Sequence, residues 1–366
     1  MTTDPHALTL TEITAPERVD GPDARLFLEL VRIGNEMCRH DAGHDYLTQD
    51  ATEVLGFWRD TVDWTHVGVA AERDGIVLGV AQLLFSTEDG TRTAQFDVMV
   101  DPPRWGEGAE EALLAAVEEE AVNRGLTTLQ TFTLHRPDDP GPRRESPTGF
   151  GAIPASDRQT VFMLEHGYRL GQVERNSSFE LRGPIGPLEQ ELADAQVAAG
   201  ADYRLVVWTS PTPPEYLDSF AYVVSRMDTD QPQGELVWEQ HAWDADRVRR
   251  RDERLRMQGM TVSVAAVQYV PSGELVAYNE LVVGSDHTGA TQQYGTLVVP
   301  EHRGHRLGRL IKAANLLRWR ELVPESPRVS TFNAEENRPM LDINEALGFV
   351  PVSYSGAWQK ELDPTP

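Results

Sequence analysis

The chain has 366 residues, of which 40% are hydrophobic, and its 33 basic against 58 acidic residues leave a formal charge of -25. That length exceeds one typical core, so two domains are expected, while the acidic balance opposes non-specific nucleic-acid binding and favours a cationic or neutral partner, or serves solubility alone. The single cysteine, Cys38, excludes an intramolecular disulfide and a cysteine metal cluster and reads as a buried thiol in a reducing compartment.

The first residues show no basic segment followed by an apolar core, and no stretch approaches the roughly 18 apolar residues of a membrane span, so a soluble cytoplasmic protein is expected. Ala24 to His40 then carries apolar residues at helical spacing, and DAGHD ends that helix. Cys38, His40, Asp41, His44 and Asp45 sit where a helix C-terminus and turn belong, so they are not read as metal ligands. A helix around Ala51 to Asp60 leads into a hairpin that turns at Arg73-Asp74-Gly75, and Ala94 to Val100 is a further strand. DPPRWGEGAEEALLAAVEEEAVNRGL supplies a strand end, a Gly-bearing turn and a long helix. The Pro-, Gly- and Ser-rich stretch HRPDDPGPRRESPTGFGAIPASDRQT reads as an exposed loop before the last helix and strand of this first unit. Arg182 to Ala201, Pro/Gly first and then amphipathic, reads as a linker.

The second unit opens with a strand at Tyr203 to Trp208, a helix from Pro214 to Met227 and a polar loop from Met227 to Leu236. Arg247 to Arg256 holds six arginines among Asp252 and Glu253, which predicts a salt-bridged, solvated helix face. Strands follow at Val262 to Val270, Leu275 to Val283 and Gln292 to Val299. The run TLVVPEHRGHRLGRLIK, Thr296 to Lys312, joins strand, turn and helix: Pro300 closes the strand, and Leu307, Leu310 and Ile311 recur at helical spacing. Unpaired N–H groups and the dipole at such a helix start favour an anion, and Arg303, Arg306 and Arg309 add positive charge, so the turn reads as a phosphate cradle.

The same order of elements is written twice. VGVAA (Val67 to Ala71) parallels VSVAA (Val262 to Ala266), and Leu164 to Leu181 parallels Glu345 to Leu362. In the aligned turns Trp105 stands where Arg303 does, Gly106 where Gly304 does and Glu110 where Gly308 does. Glu107, Glu110 and Glu111 would repel a pyrophosphate from the first copy. Each unit reads strand, two helices, three antiparallel strands, helix, strand, helix, strand.

The R-G-H-R-L-G turn between strand and helix resembles motif A of the GNAT acetyltransferases, whose pattern is Arg/Gln-x-x-Gly-x-Gly/Ala. Arg303 and Gly308 fit it, and Arg306 replaces the first glycine. NAEENRPMLDINEALGF, Asn333 to Phe349, is similar to motif B, with Asn337 opening its helix and Leu347-Gly348-Phe349 ending it. The resemblance implies an α/β chain of two tandem GNAT-like domains, each a mixed central sheet flanked by helices. Residues 1–182 are then a degenerate domain, 183–202 a linker with a short helix, and 203–366 the acyl-CoA-binding catalytic domain, the clearer copy.

The resemblance further implies acetyl-CoA as cosubstrate, with its pyrophosphate on Arg303, Gly304, His305, Arg306, Leu307, Gly308 and Arg309 and its pantetheine arm along Leu297, Val298 and Val299 toward Asn333 and Asn337. The implied reaction is direct acetyl transfer to the primary amine of a small molecule, without metal, nucleic acid or membrane, and oligomeric state stays open. The attacking amine must be neutral although its pKa lies near 10, so a base is needed. Asn344 occupies the position where many members carry an acidic tyrosine, and no glutamate stands near Gln292. Tyr294, Glu280 and Tyr354 are therefore the catalytic candidates, each equally readable as a sheet residue with its polar end in water. Asp230 and Glu235, with Asp228, are the candidates to receive a cationic amine. The competing class is a non-catalytic acyl-CoA-binding regulatory protein of the same fold. A hydrolase lacks support, since neither a G-x-S-x-G elbow nor a zinc-ligand helix occurs.

Overall fold

A computed structural model describes residues 8–362. The first seven residues, part of the segment in which no leader is read, lie outside that range, as do residues 363–366. The described chain divides into two compact units that are interleaved in sequence: 8–174, 233–239 and 353–362 form unit 1, and 175–232 and 240–352 form unit 2.

In unit 1 the order is β1 (Thr9–Ile13), α1 (Arg25–Ala42), α2 (Ala51–Trp58), β2 (Trp64–Arg73), β3 (Ile76–Ser86), β4 (Thr93–Val100), α3 (Ala109–Asn123), β5 (Thr128–His135), β6 (Arg143–Glu145), β7 (Ala152–Pro154), α4 (Arg158–Glu165) and the first half of β8 (Arg169–Glu180). Unit 2 takes the rest of β8, then α5 (Gly186–Ala199), β9 (Tyr203–Thr209), α6 (Leu217–Ser225), α7 (Met227–Asp230), α8 (Ala245–Met257), β10 (Thr261–Tyr269), β11 (Glu274–Val283), β12 (Thr291–Val298), α9 (Leu307–Leu322), β13 (Arg328–Ala334), α10 (Arg338–Leu347) and the start of β14 (Val350–Glu361). From Ser353 onward β14 belongs to unit 1, where it pairs antiparallel with β5 from Tyr354↔His135 to Glu361↔Thr128.

Local chemistry sets these elements. Helix α1 turns Phe27, Leu30 and Ile33 inward and stops at Gly43, whose φ of 80° favours glycine. The β2–β3 hairpin turns at Asp74 and Gly75, with φ of 54° and 77°, the left-handed pair that a two-residue hairpin requires. Aspartates cap α2, α4 and α8: Asp50 accepts from the Thr52 N–H, Asp157 from Thr160 and Asp244 from Arg247. The unit 1 sheet runs β1-β2-β3-β4-β5-β14 over a core that includes Leu83, Phe96, Leu113 and Trp358. The unit 2 sheet runs β8-β13-β12-β11-β10-β9, with Phe220, Val264, Leu310 and Ile311 among its core.

Three expectations change. The Pro- and Gly-rich excursion in unit 1 contains a hairpin, β6–β7, paired from Arg143↔Pro154 to Glu145↔Ala152. The 227–236 loop does not stay together: Asp230 ends α7 in unit 2, whereas residues 233–239 pack into unit 1, where the Glu235 N–H donates to the Gly171 carbonyl at 3.1 Å. The arginine face of α8 is only partly solvated, because Arg247 is 6% exposed and the Arg251 side chain 12%.

Candidate functional site

Strands β12 and β13 pair in parallel at two positions, Thr291↔Val329 and Gln292↔Ser330, and then part. From Gln293 onward the edge of β12 that faced β13 has no strand partner among the described residues. The Gln293 amide bridges the opening by donating to Thr331 Oγ1 at 2.9 Å, and its Oε1 is buried with no partner among the described residues. On the other edge the ladder to β11 slips: Asn279 faces Thr296 and Leu281 faces Gln293, so Tyr294 and Gly295 together oppose Glu280. This bulge needs glycine, because a Cβ on Gly295 would collide with the Tyr278 phenol. Beyond it, Asn279 Nδ2 donates to Thr296 Oγ1 at 2.8 Å, Asn279 Oδ1 accepts from Asn315 Nδ2 of α9 at 2.8 Å, and Ser263 donates to Asn315 Oδ1 at 2.7 Å. That buried network fixes α9 against the sheet.

Strand β12 delivers the chain into a short 3-10 turn, Pro300–His302, followed by Arg303, Gly304 at φ 89° and Arg306 at φ 56°, which is the N-cap of α9. No side chain caps this helix, so its first N–H groups remain available to an anion. Arg303 Nε donates to the Val298 carbonyl at 3.1 Å, Arg309 pairs with Glu191 at 3.0 Å, and Arg306 is exposed. A bulky residue at positive φ stores strain of about 1 kcal/mol. Gly308 is buried, and a Cβ there would meet Ile343 Cδ1 of α10 at 2.9 Å. The N–H of Val299 is taken by the Val276 carbonyl at 3.0 Å, while Leu297 and Val298 line the divided strand.

One turn beyond Gly308 lies Lys312, fully buried, which the sequence reading did not single out. Its ammonium donates to Asn344 Oδ1, stands 5.1 Å from the Phe349 ring centroid and has no carboxylate partner among the described residues. Asn344 Nδ2 in turn donates to Asn333 Oδ1 at 2.7 Å. Burial pushes the Lys312 pKa down to about 7 from 10.5. Because an ammonium only donates, the chain has one direction: Lys312 to Asn344 to Asn333, leaving the Asn333 amide N–H groups as donors at the β13 edge. Asn337 is the N-cap residue of α10, yet its side chain makes no capping bond.

The catalytic candidates are spread out. Glu280 is 2% exposed and held by a bidentate pair with Arg251, both contacts 2.9 Å. Tyr294, at the bulge, is 45% exposed. Tyr354 lies on the stretch of β14 that belongs to unit 1, packed against its core. Tyr278, beside the bulge, is buried, and desolvation with the nearby Glu280 charge raises its phenol well above the ordinary value. The acidic loop candidates do not meet as a pair: Arg226 takes the Asp230 carboxylate with bonds of 2.9 and 2.6 Å, Asp228 accepts from the His241 N–H at 3.0 Å, and Glu235 is exposed on the segment that packs into unit 1.

The corresponding region of unit 1 is built differently. β4 and β5 pair at Thr93↔Thr128, Ala94↔Leu129 and Gln95↔Gln130 before parting, and the β3–β4 ladder runs without a bulge. Its turn has Gly106 and Gly108 at φ 89°, but the Glu110 carboxylate, 2% exposed, accepts the Gly106 N–H. Trp105 packs edge-on against Phe162, with Arg158 4.6 Å over its ring.

Residues 32–140 match the family described as "Acetyltransferase (GNAT) family". The match falls on unit 1, although the sequence reading expects the clearer copy to be the second; Gly108 has the family's glycine where unit 2 carries Arg306. No curated protein matches the chain by sequence. Among solved structures, a tandem GNAT protein from the clavulanic acid biosynthesis pathway is 23% identical, with a TM-score of 0.75 over 98% of this chain and 100% of its own. A GCN5-related N-acetyltransferase from Sphaerobacter thermophilus is 15% identical, with a TM-score of 0.57 over 98% and 97%. A Pyrococcus horikoshii protein described as "A Putative Acetyltransferase" is 9% identical, with a TM-score of 0.52 over 97% and 90%.

Proposed function

We propose that this chain, whose residues 32–140 match the GNAT family and which shares its fold with a tandem GNAT protein, is itself a GNAT enzyme that transfers an acetyl group from acetyl-CoA to the primary amine of a small molecule, with unit 2 active and unit 1 degenerate. The observation that carries this reading is the parting of β12 from β13 after Gln292, directly before an uncapped, arginine-bearing helix start. Three features of unit 2 suit the donor: a divided strand edge for an extended amide-bearing arm, a buried acceptor without a donor at Gln293 Oε1, and N–H groups with Arg303 and Arg306 for a pyrophosphate.

When bound, acetyl-CoA supplies an activated thioester. The chain's own part is to hold it and to manage protons. Arg303 and Arg306 neutralise phosphate charge at the start of α9, Leu297 and Val298 offer the strand edge, and Asn337 has an uncommitted amide at the start of α10. Lys312 acts on position: through Asn344 it orients Asn333 as a donor toward carbonyl oxygen or a developing anion. Glu280, fixed by Arg251, braces the bulge and leaves Tyr294 as the exposed proton-active side chain beside it. Asp228 and Asp230 keep the 227–232 segment acidic where a cationic acceptor would approach.

Thiol release from acetyl-CoA, followed with the full chain and a panel of small amines, tests the proposal. Amine-dependent release that falls at least about tenfold in Arg303→Ala/Arg306→Ala is expected. Binding of acetyl-CoA without turnover on any amine would instead favour the regulatory reading.

A further inference from the structure

Tyr278 of β11 is 1% exposed, and its ring reaches across the neighbouring strand. It pairs with Leu297, yet the atoms that a Cβ on Gly295, two residues earlier, would meet are its Oη, then Cε2 and Cζ. The hydroxyl end of the ring therefore lies over the β12 bulge, on the strand whose other edge parts from β13 after Gln292. Phe220 of α6 meets the ring edge-on, with centroids 5.5 Å apart at 87°. Packing accounts for the ring in this way, and it does not account for the hydroxyl. Among the described residues no hydrogen bond reaches that hydroxyl. A buried hydroxyl without a partner is unfavourable, and phenylalanine would fill the same space without it.

Burial, with Glu280 and Asp228 nearby and Arg251 opposing them, raises the proton affinity of the phenol well above the ordinary value. At neutral pH it is a hydrogen-bond donor and not a base. From Val299 back to Gly295 is roughly 13 Å of strand at about 3.3 Å per residue, comparable with an extended pantetheine arm. An arm that starts at the α9 turn and follows this edge thus brings its sulfur end to the bulge. We propose, resting on the acetyl transfer inferred above, that the Tyr278 hydroxyl is the donor that meets the negative charge on the leaving sulfur. As the amine nitrogen bonds to the carbonyl carbon, the carbon–sulfur bond breaks and its electron pair stays on sulfur, where the Tyr278 O–H holds it. Tyr278 keeps its own proton: the new amide nitrogen releases one to water and the thiolate takes one from water.

Calorimetric titration of CoA and of acetyl-CoA into the full chain at pH 7 and pH 9.5, without amine, tests this, because only CoA carries a thiol that ionises. A free thiol ionises near pH 8.5, and lowering that by about one unit in the complex makes CoA gain on acetyl-CoA at least about fivefold over the range. The gain is expected in the parent and absent in Tyr278→Phe, which should bind acetyl-CoA at pH 7 as the parent does and unfold at no lower temperature. Its kcat should fall at least about tenfold with an amine acceptor. The gain surviving in Tyr278→Phe, its absence in a parent that binds both ligands, or an undiminished kcat in Tyr278→Phe overturns this assignment alone. A parent that binds neither ligand overturns it together with acetyl transfer.

Discussion

The two strand–turn–helix regions have nearly one backbone and opposite chemistry. Both leave a parallel strand through a 3-10 turn and an extended residue, and both place a glycine at φ 89°, Gly106 in unit 1 and Gly304 in unit 2. In unit 1 the next left-handed residue is Gly108, and the anion that meets the turn is the protein's own Glu110. In unit 2 that residue is Arg306, and its side chain makes no capping hydrogen bond at the helix start. The gap between strands follows suit, with Trp105 and Phe162 packed at the unit 1 turn and a bulge that exposes Tyr294 in unit 2. One backbone thus presents two chemistries: in unit 1 the turn's N–H is taken by the protein's own carboxylate, and in unit 2 it is not.

The largest effect expected from breaking this contrast is at Lys312, for which unit 1 has no lysine counterpart. An ammonium whose pKa is about 7 when folded and 10.5 otherwise is a penalty fully present below pH 7 and relieved as pH rises toward 10.5, because the unfolded chain then binds more protons. The displacement corresponds to a swing of up to about 5 kcal/mol. Lys312→Met should therefore gain most over the parent at pH 6 and lose that advantage by pH 10, a trend readable in thermal unfolding whatever constant cost Asn344 pays for its lost partner. A pH-independent difference would mean that Lys312 is not held as a desolvated cation.

Glu280→Gln comes next. Leaving the Arg251 guanidinium buried without its carboxylate should cost about 3–5 kcal/mol in urea unfolding, while replacing both by apolar residues costs much less. A change below about 1 kcal/mol would free Glu280 for a proton-transfer role. The smallest effect is at Arg306→Gly, which gives unit 2 the residue of unit 1: relief of left-handed strain against the entropy of glycine should stabilise by roughly 0.5 kcal/mol, yet acetyl-CoA affinity should fall. If affinity held, the strain at Arg306 would have no functional return.

Much of the architecture was legible in sequence. Period-two and period-3.6 patterns, Asp74-Gly75 at the hairpin and the internal repeat place nearly every element, because they are local signals. The turn could be read for the same reason. Long-range pairing could not. Asp252 and Glu253 suggested that the arginines of α8 pair along the helix; Arg256 does pair with Glu253 and Arg249 with Asp246, whereas Arg251 reaches Glu280 and Asp252 accepts from Ser210 and Thr212. Nor did local pattern reveal that β14 passes from unit 2 into unit 1 at Ser353, taking Tyr354 with it. Lys312 did leave a trace: in a chain whose basic residues are almost all arginine, a lysine stands among the apolar Leu310, Ile311, Ala313 and Ala314.

The central claim is that the arginine-bearing turn of unit 2 holds the anionic cosubstrate and the glutamate-occupied turn of unit 1 has no part in holding it. Calorimetric titration of acetyl-CoA into the full chain, into Arg303→Ala/Arg306→Ala and into Glu110→Gln tests it most directly. The account predicts one equivalent bound by the parent, at least about tenfold weaker binding in the arginine variant, and an unchanged affinity for that equivalent in Glu110→Gln. Full affinity in the arginine variant, or two equivalents in the parent, would contradict it.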